Sequence, residues 1–281
     1  MAARVAQDDG PLPLCQIDYS DHFIDVHDRF RAAVQNEDVS ENALQLTEEV
    51  IEENSANYTA WWYRRRCLDA LQYDLSRELY GFTDRWAHKN LKNYQVWFHR
   101  RWLVSRLNNP EGELDFCTEC LRGDDQKVYN AWAHRQWIVK KFNLWDGEWG
   151  FVDELLEKDV RNNSAWNHRH LLTRKFGVPA DEWDYIARKL KKVKLNEAIW
   201  NYALAIARET NDWNKLAVLC ENAIMEKNRF ALHCEIECFI QAHNYDDARL
   251  NLDTLIIADP IRKKYWQWRL DTLMEPATRM V

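Results

Sequence analysis

Glycine and proline are scarce, at 7 and 6 of 281 residues. Together they make up under 5% of the chain, against about 12% in ordinary usage. Few breakers and 30% charged residues favour long helices over sheets. No apolar run approaches the ~20 residues of a membrane span. The first residues, MAARVAQDDGPLPLCQ, lack the apolar core of a secretory signal. There is no His-Glu-x-x-His, no glycine-rich phosphate loop and no second Cys-x-x-Cys at zinc-ligand spacing. Seven irregularly spaced cysteines read as reduced thiols of a cytoplasmic protein. The one pair, Cys117-x-x-Cys120, lies in the helical run GELDFCTECL and reads as two structural thiols. A net charge of −7 argues against broad nucleic-acid binding.

Tryptophan, by contrast, is abundant: there are 15, and a tryptophan that recurs is a packing device. Trp61, Trp97, Trp132, Trp166 and Trp200 follow one another at steps of 36, 35, 34 and 34 residues. Trp266 lies 66 residues further on, two steps, so a degenerate repeat is expected near Phe230–His243. Each unit reads as two helices. Asn or Ser stands near the start of the Trp helices, at Asn57, Asn93, Asn163 and Ser164, as N-caps prefer. Leu103, Val104 and Leu107 after Trp97, and Ile138, Val139 and Phe142 after Trp132, mark one apolar face.

Arginine recurs three residues after the tryptophan, at Arg64, Arg100, Arg135, Arg169 and Arg269. The expectation is a guanidinium packed beside the Trp and tying down the adjacent loop. His99, His134 and His168 recur two residues after it and are too far apart to share a metal ion. The predicted fold is all-α: a right-handed superhelix, or alpha-alpha solenoid, of about seven antiparallel helical hairpins. Residues 1–15 are expected to be a flexible N-terminal segment and 16–281 a single helical-repeat domain. Such arrays grip other proteins. The basic run Arg188, Lys189, Lys191, Lys192 and Lys194 reads as a solvated helix face, and so does the acidic stretch from Glu111 to Asp125.

The blocks NYQVWFHRRWLV (93–104), YNAWAHRQWIV (129–139), LWDGEWGFVDELLEKDVRNNSAWNHR (144–169) and IRKKYW (261–266) resemble protein prenyltransferase alpha subunits. The closer likeness is to the alpha subunit shared by protein farnesyltransferase and geranylgeranyltransferase type I. It runs from about residue 14 to 270 and is weakest at 205–258. The resemblance implies an obligate beta subunit that supplies zinc, most of the isoprenoid pocket and most of the peptide site. Magnesium accompanies the diphosphate, and this chain binds no metal itself. The implied reaction moves a farnesyl or geranylgeranyl group from its diphosphate to the Cys of a C-terminal Cys-a-a-X sequence.

By the same resemblance, Lys127, in DDQKVYNAW, matches a lysine that reaches the prenyl diphosphate, and Tyr129 matches a tyrosine beside it. Asn130 falls where the family typically has a Gln that binds the peptide's terminal carboxylate. Tyr94 matches a residue of the pocket for the last peptide residue. Arg135, Asn162 and Trp166 match motif positions near the interface and read as architectural. Asp124 and Asp125 stand close enough in sequence to orient Lys127. Two other readings remain at this point: a Rab geranylgeranyltransferase alpha subunit and a non-catalytic adaptor of tetratricopeptide type.

Overall fold

The computed structural model describes residues 3–123, 125–224 and 228–274, and among them every regular element is helical. The chain divides into two compact units between Leu144 and Trp145. The first holds α1 (Asp21–Gln35), α2 (Glu41–Glu53), α3 (Tyr58–Ala70), α4 (Leu75–Arg77), a π-helical turn (Glu78–Thr83), α5 (Asp84–Lys89), α6 (Tyr94–Leu107), α7 (Glu113–Arg122) and α8 (Tyr129–Phe142). The second holds α9 (Glu148–Lys158), α10 (Asn163–Phe176), α11 (Glu182–Lys192), α12 (Glu197–Thr210), α13 (Trp213–Ile224), α14 (Arg229–Gln241), α15 (Tyr245–Ala258) and α16 (Lys263–Met274). After α1, the described helices pair into seven hairpins, with α4, the π turn and α5 acting together as one arm.

The tryptophan works as a clasp at the start of each second helix. Trp61, Trp97, Trp132, Trp166 and Trp200 are buried. Each indole Nε1–H donates to the carbonyl six residues back, on Ser55, Leu91, Gln126, Val160 and Lys194, at 2.8–2.9 Å. Several of these carbonyls accept a second bond from the next hairpin. Asn93 Nδ2 donates to Ser55 O, Asn196 Nδ2 to Val160 O and Asn228 Nδ2 to Lys194 O. Those asparagines are also N-caps, their Oδ1 accepting backbone N–H groups of α6, α12 and α14. One side chain thus caps its own helix and ties it to the hairpin before. In the fourth Trp hairpin the cap is Asn162, and α10 already begins at Asn163. Sequence placed that cap one or two residues late.

Three of the arginines that follow a tryptophan by three residues stack on the next hairpin's rings. Arg64, Arg100 and Arg169 are buried and fork onto Glu78, Glu113 and Glu182 of the following hairpin, with N···O distances of 2.6–2.9 Å. Their planes lie 3.5, 3.5 and 3.7 Å from the rings of Phe82, Phe116 and Tyr185 on that same hairpin. The expected Trp–Arg pair is therefore a helix-to-helix junction. A planar bidentate cation suits it, because both carboxylate oxygens must be satisfied out of water. Each glutamate is also met from its own hairpin, Glu78 by His99, Glu113 by His134 and Glu182 by Tyr202. His168 meets Glu148 in the same way.

The π turn absorbs an irregularity in the repeat. Phe82 follows Glu78 by four residues, whereas Phe116 and Tyr185 follow Glu113 and Glu182 by three. One inserted residue is looped into the π turn, so that Arg64 still reaches both its carboxylate and its ring. Apolar side chains fill the space between arms. In the first unit a cluster of Leu79, Leu103, Val104 and Ile138 is fully buried, with Leu107 and Phe142 packed against it. In the second, Leu232, Ile236, Leu252, Leu255 and Trp266 form another. The degenerate repeat is α14, where Leu232 follows its Asn228 cap at the spacing a tryptophan keeps elsewhere.

The basic run is not simply a solvated face. Lys189 is buried and pairs, together with Lys192, with Glu157 of α9. Cys117 and Cys120 are both buried. Burial drives the Cys117 thiol above its ordinary range and the Cys120 thiol up to about 11, so neither is a ready nucleophile.

Candidate functional site

The residues singled out by sequence sit where α6 and α8 begin, within the first unit. Tyr94 and Tyr129 are the first residues of those helices. They are 62% and 67% exposed, and their ring centroids lie 6.1 Å apart. Lys127 is exposed in the turn before α8, and its backbone N–H donates to Asp125 Oδ1 at 3.1 Å. The other oxygen of Asp125 lies 3.2 Å from Nζ of Lys92, in the turn before α6. The Lys127 N–H and Lys92 together lower the Asp125 carboxyl below the usual range and keep it ionised. Asp125 therefore links the two loops; Asp124 lies outside the described residues.

Lys92 is a residue the sequence reading passed over. It stands five residues before Trp97, as Lys127 stands five before Trp132. The pattern Lys-x-Tyr-Gln/Asn-x-Trp occurs twice, as KNYQVW and KVYNAW, and that duplication was the available signal. Lys92 is 84% exposed at its side chain. Two ammonium groups and two tyrosine rings thus share one edge of the first unit, with charge and hydroxyl groups suited to an anionic ligand.

The same duplication aligns Gln95 with Asn130. Asn130 is buried, and its Nδ2 donates to Leu91 O at 3.4 Å. That bond fills the place taken elsewhere by the N-cap asparagine, because the cap position of α8 is Val128, which has no side-chain acceptor. Gln95 is half-buried beside Tyr94. Arg135 is buried and donates to Leu114 O and Thr118 Oγ1. Asn162 is fully buried and caps α10, and Trp166 closes its clasp on Val160 O. Among the described residues no group of three His, Cys, Asp or Glu side chains is arranged to hold a metal ion. No described helix is long and apolar enough to cross a membrane.

Fold and site together define a helical-hairpin repeat protein with a cationic, tyrosine-lined edge. Residues 40–71, 77–107, 110–142 and 145–176 match the protein prenyltransferase alpha subunit repeat. The chain thus carries four repeats of that family's type. It is 46% identical over 81 residues to a protein farnesyltransferase/geranylgeranyltransferase type-1 subunit alpha of Dictyostelium discoideum, covering 27% of this chain and 25% of that one. To the Solanum lycopersicum protein of the same name it is 48% identical over 88 residues, covering 31% and 25%. The aligned stretch thus spans about a quarter of the length of these curated relatives. A structure of Candida albicans protein geranylgeranyltransferase-I complexed with GGPP contains a chain that matches with a TM-score of 0.85 and 29% identity, covering 96% of this chain and 97% of that one.

Proposed function

We propose that this chain is the alpha subunit of a heterodimeric protein prenyltransferase of the farnesyltransferase/geranylgeranyltransferase type-1 kind. With a beta-type partner it transfers a prenyl group from its diphosphate to the Cys of a C-terminal Cys-a-a-X sequence. The observation that carries this reading is the match along nearly the whole chain to a component of a GGPP-bound geranylgeranyltransferase-I. The described cysteines are all free thiols, which suits the reducing cytoplasm.

The chemistry this chain lends is electrostatic. As the carbon–oxygen bond to the diphosphate breaks, negative charge grows on the leaving group. A fixed ammonium lowers the barrier by stabilising that charge. Lys127 and Lys92 are the two candidates, and Asp125 holds their loops together. Tyr94 and Tyr129 flank the same edge and offer hydroxyl donors. Gln95 is the better reader of a peptide carboxylate, since the amide of Asn130 is engaged by Leu91 O.

The test is single-turnover prenylation by the heterodimer reconstituted with a beta-type subunit. Lys127→Ala or Lys92→Ala should slow the chemical step by about 10²-fold, more than it weakens diphosphate binding. Lys127→Arg should rescue only in part, because a planar fork replaces a compact charge. Lys140→Ala, exposed on α8, is the silent control. If all three alanine variants react alike, the site reading fails. If the wild-type heterodimer does not turn over, the functional reading fails.

A further inference from the structure

The second unit carries a groove of about 660 Å³ at the starts of α10, α12 and α14. Arg161 and Arg229 line it, with Leu195, Ala198 and Phe230 as its apolar surfaces and Glu197 on its rim. Glu197 is neutralised by Arg262, 2.9 Å away. Arg161 and Arg229 are exposed, and neither guanidinium has a carboxylate partner among the described residues. By contrast Arg64, Arg100 and Arg169 at the junctions are paired with glutamates, and the chain as a whole carries a net charge of −7. The groove is a local reversal of sign.

Resting on the heterodimer proposed above, we infer that this groove seats an acidic segment of the partner subunit, with carboxylates on Arg161 and Arg229 and an apolar side chain against Leu195 and Phe230. The charge is complementary to carboxylates, and an exposed leucine, 66% accessible, calls for an apolar contact. A small phosphate ligand fits less well. The helix-start N–H groups that would bind it are already taken by Asn162, Asn196 and Asn228. Only long side chains remain, and these meet a protein surface better than a compact dianion.

Three forms of the full chain, wild type, R161A/R229A and R161E/R229E, would be assembled with a beta-type subunit and their dissociation constants measured at low and high salt. Arg188→Glu, an exposed change outside the groove on α11, is the control. The charge reversal should weaken assembly by at least about tenfold, the alanine pair by less, and the difference should shrink at high salt. Both arginines are exposed, so melting temperatures should not move. Assembly of wild type and R161E/R229E with equal affinity overturns the inference and leaves the heterodimer standing. A wild-type chain that does not assemble overturns both. Inorganic pyrophosphate that raises the melting temperature of the wild type but not of R161E/R229E assigns the groove to a small anion and also overturns it.

Discussion

Two stretches of this chain join their hairpins by different means. Up to residue 210, three junctions inside the units are ionic and fully buried: Glu78, Glu113 and Glu182 are 2%, 0% and 0% exposed, each held by an arginine from the preceding hairpin. Between residues 213 and 274 apolar packing dominates, through Leu232, Ile236, Leu252, Leu255 and Trp266. A carboxylate does persist there, at Glu237, but one of its arginines, Arg208, is 55% exposed. Ionic junctions demand particular residues at fixed spacing. Apolar junctions accept many sequences of similar volume.

The comparison breaks most sharply at Glu113. Glu113→Ala leaves the buried Arg100 with Asp84 as its one remaining carboxylate partner, takes the Glu113 bond from His134, and should cost about 3 kcal/mol, measured by urea unfolding. Leu252→Ala in the C-terminal stretch also costs about 2–5 kcal/mol through its cavity, but without any dependence on pH.

That pH dependence has a definite sign. Burial would raise the Glu78 carboxyl, but the His99 bond and the Arg64 guanidinium outweigh it and hold it down to about 2. A depressed carboxylate stabilises the fold above its unfolded value of about 4.3, and the gain is lost as pH falls towards 2. Burial, against the pull of their glutamates, lowers His99 and His134 below the ordinary imidazole value. The unfolded chain then takes up protons first, so stability starts to fall below about pH 6.5. Unfolding free energies should hold level from pH 8 to about 6.5 and decline from there to pH 4, and a profile flat throughout would remove the ionic junctions from the account of stability.

A smaller effect is expected at the clasp. Trp166→Phe removes one donor from Val160 O, which still accepts from Asn196, so the cost should be about 1 kcal/mol. Smallest is the contrast between Asn93→Ala and Asn228→Ala. Both side chains cap a helix and reach back one hairpin, and each should cost about 1 kcal/mol. Equal costs would show that the cap survives where the ionic junction does not.

This contrast also explains what the sequence made legible. Trp, His and Arg at fixed spacing announced the hairpins, and the repeat match ends at residue 176, before the stretch where Leu232 stands at the tryptophan spacing. The partner of each arginine stayed hidden. Glu78, Glu113, Glu148 and Glu182 recur every 34–35 residues, yet glutamate is common enough on helices that the recurrence does not stand out. The two lysine loops were half visible. In KVYNAW both Lys127 and Tyr129 were singled out, whereas in KNYQVW Tyr94 was and Lys92 was not, because its link to Asp125 shows only in the fold. Nor could sequence foresee that Asn130 is spent on Leu91 O, since that depends on Val128 being unable to cap.

The double duty of the helix-start asparagines bears on how such a chain can be shortened or lengthened. Cutting a hairpin out cleanly removes one asparagine, one loop carbonyl, one arginine and one glutamate, and leaves the flanking hairpins with partners that answer each other. A deletion between Trp97 and Glu113 would instead strand a charge in the core on one side of the scar. Deletions and insertions that the fold tolerates should therefore come in whole periods of 34 to 36 residues, with both ends falling at the same point of the repeat.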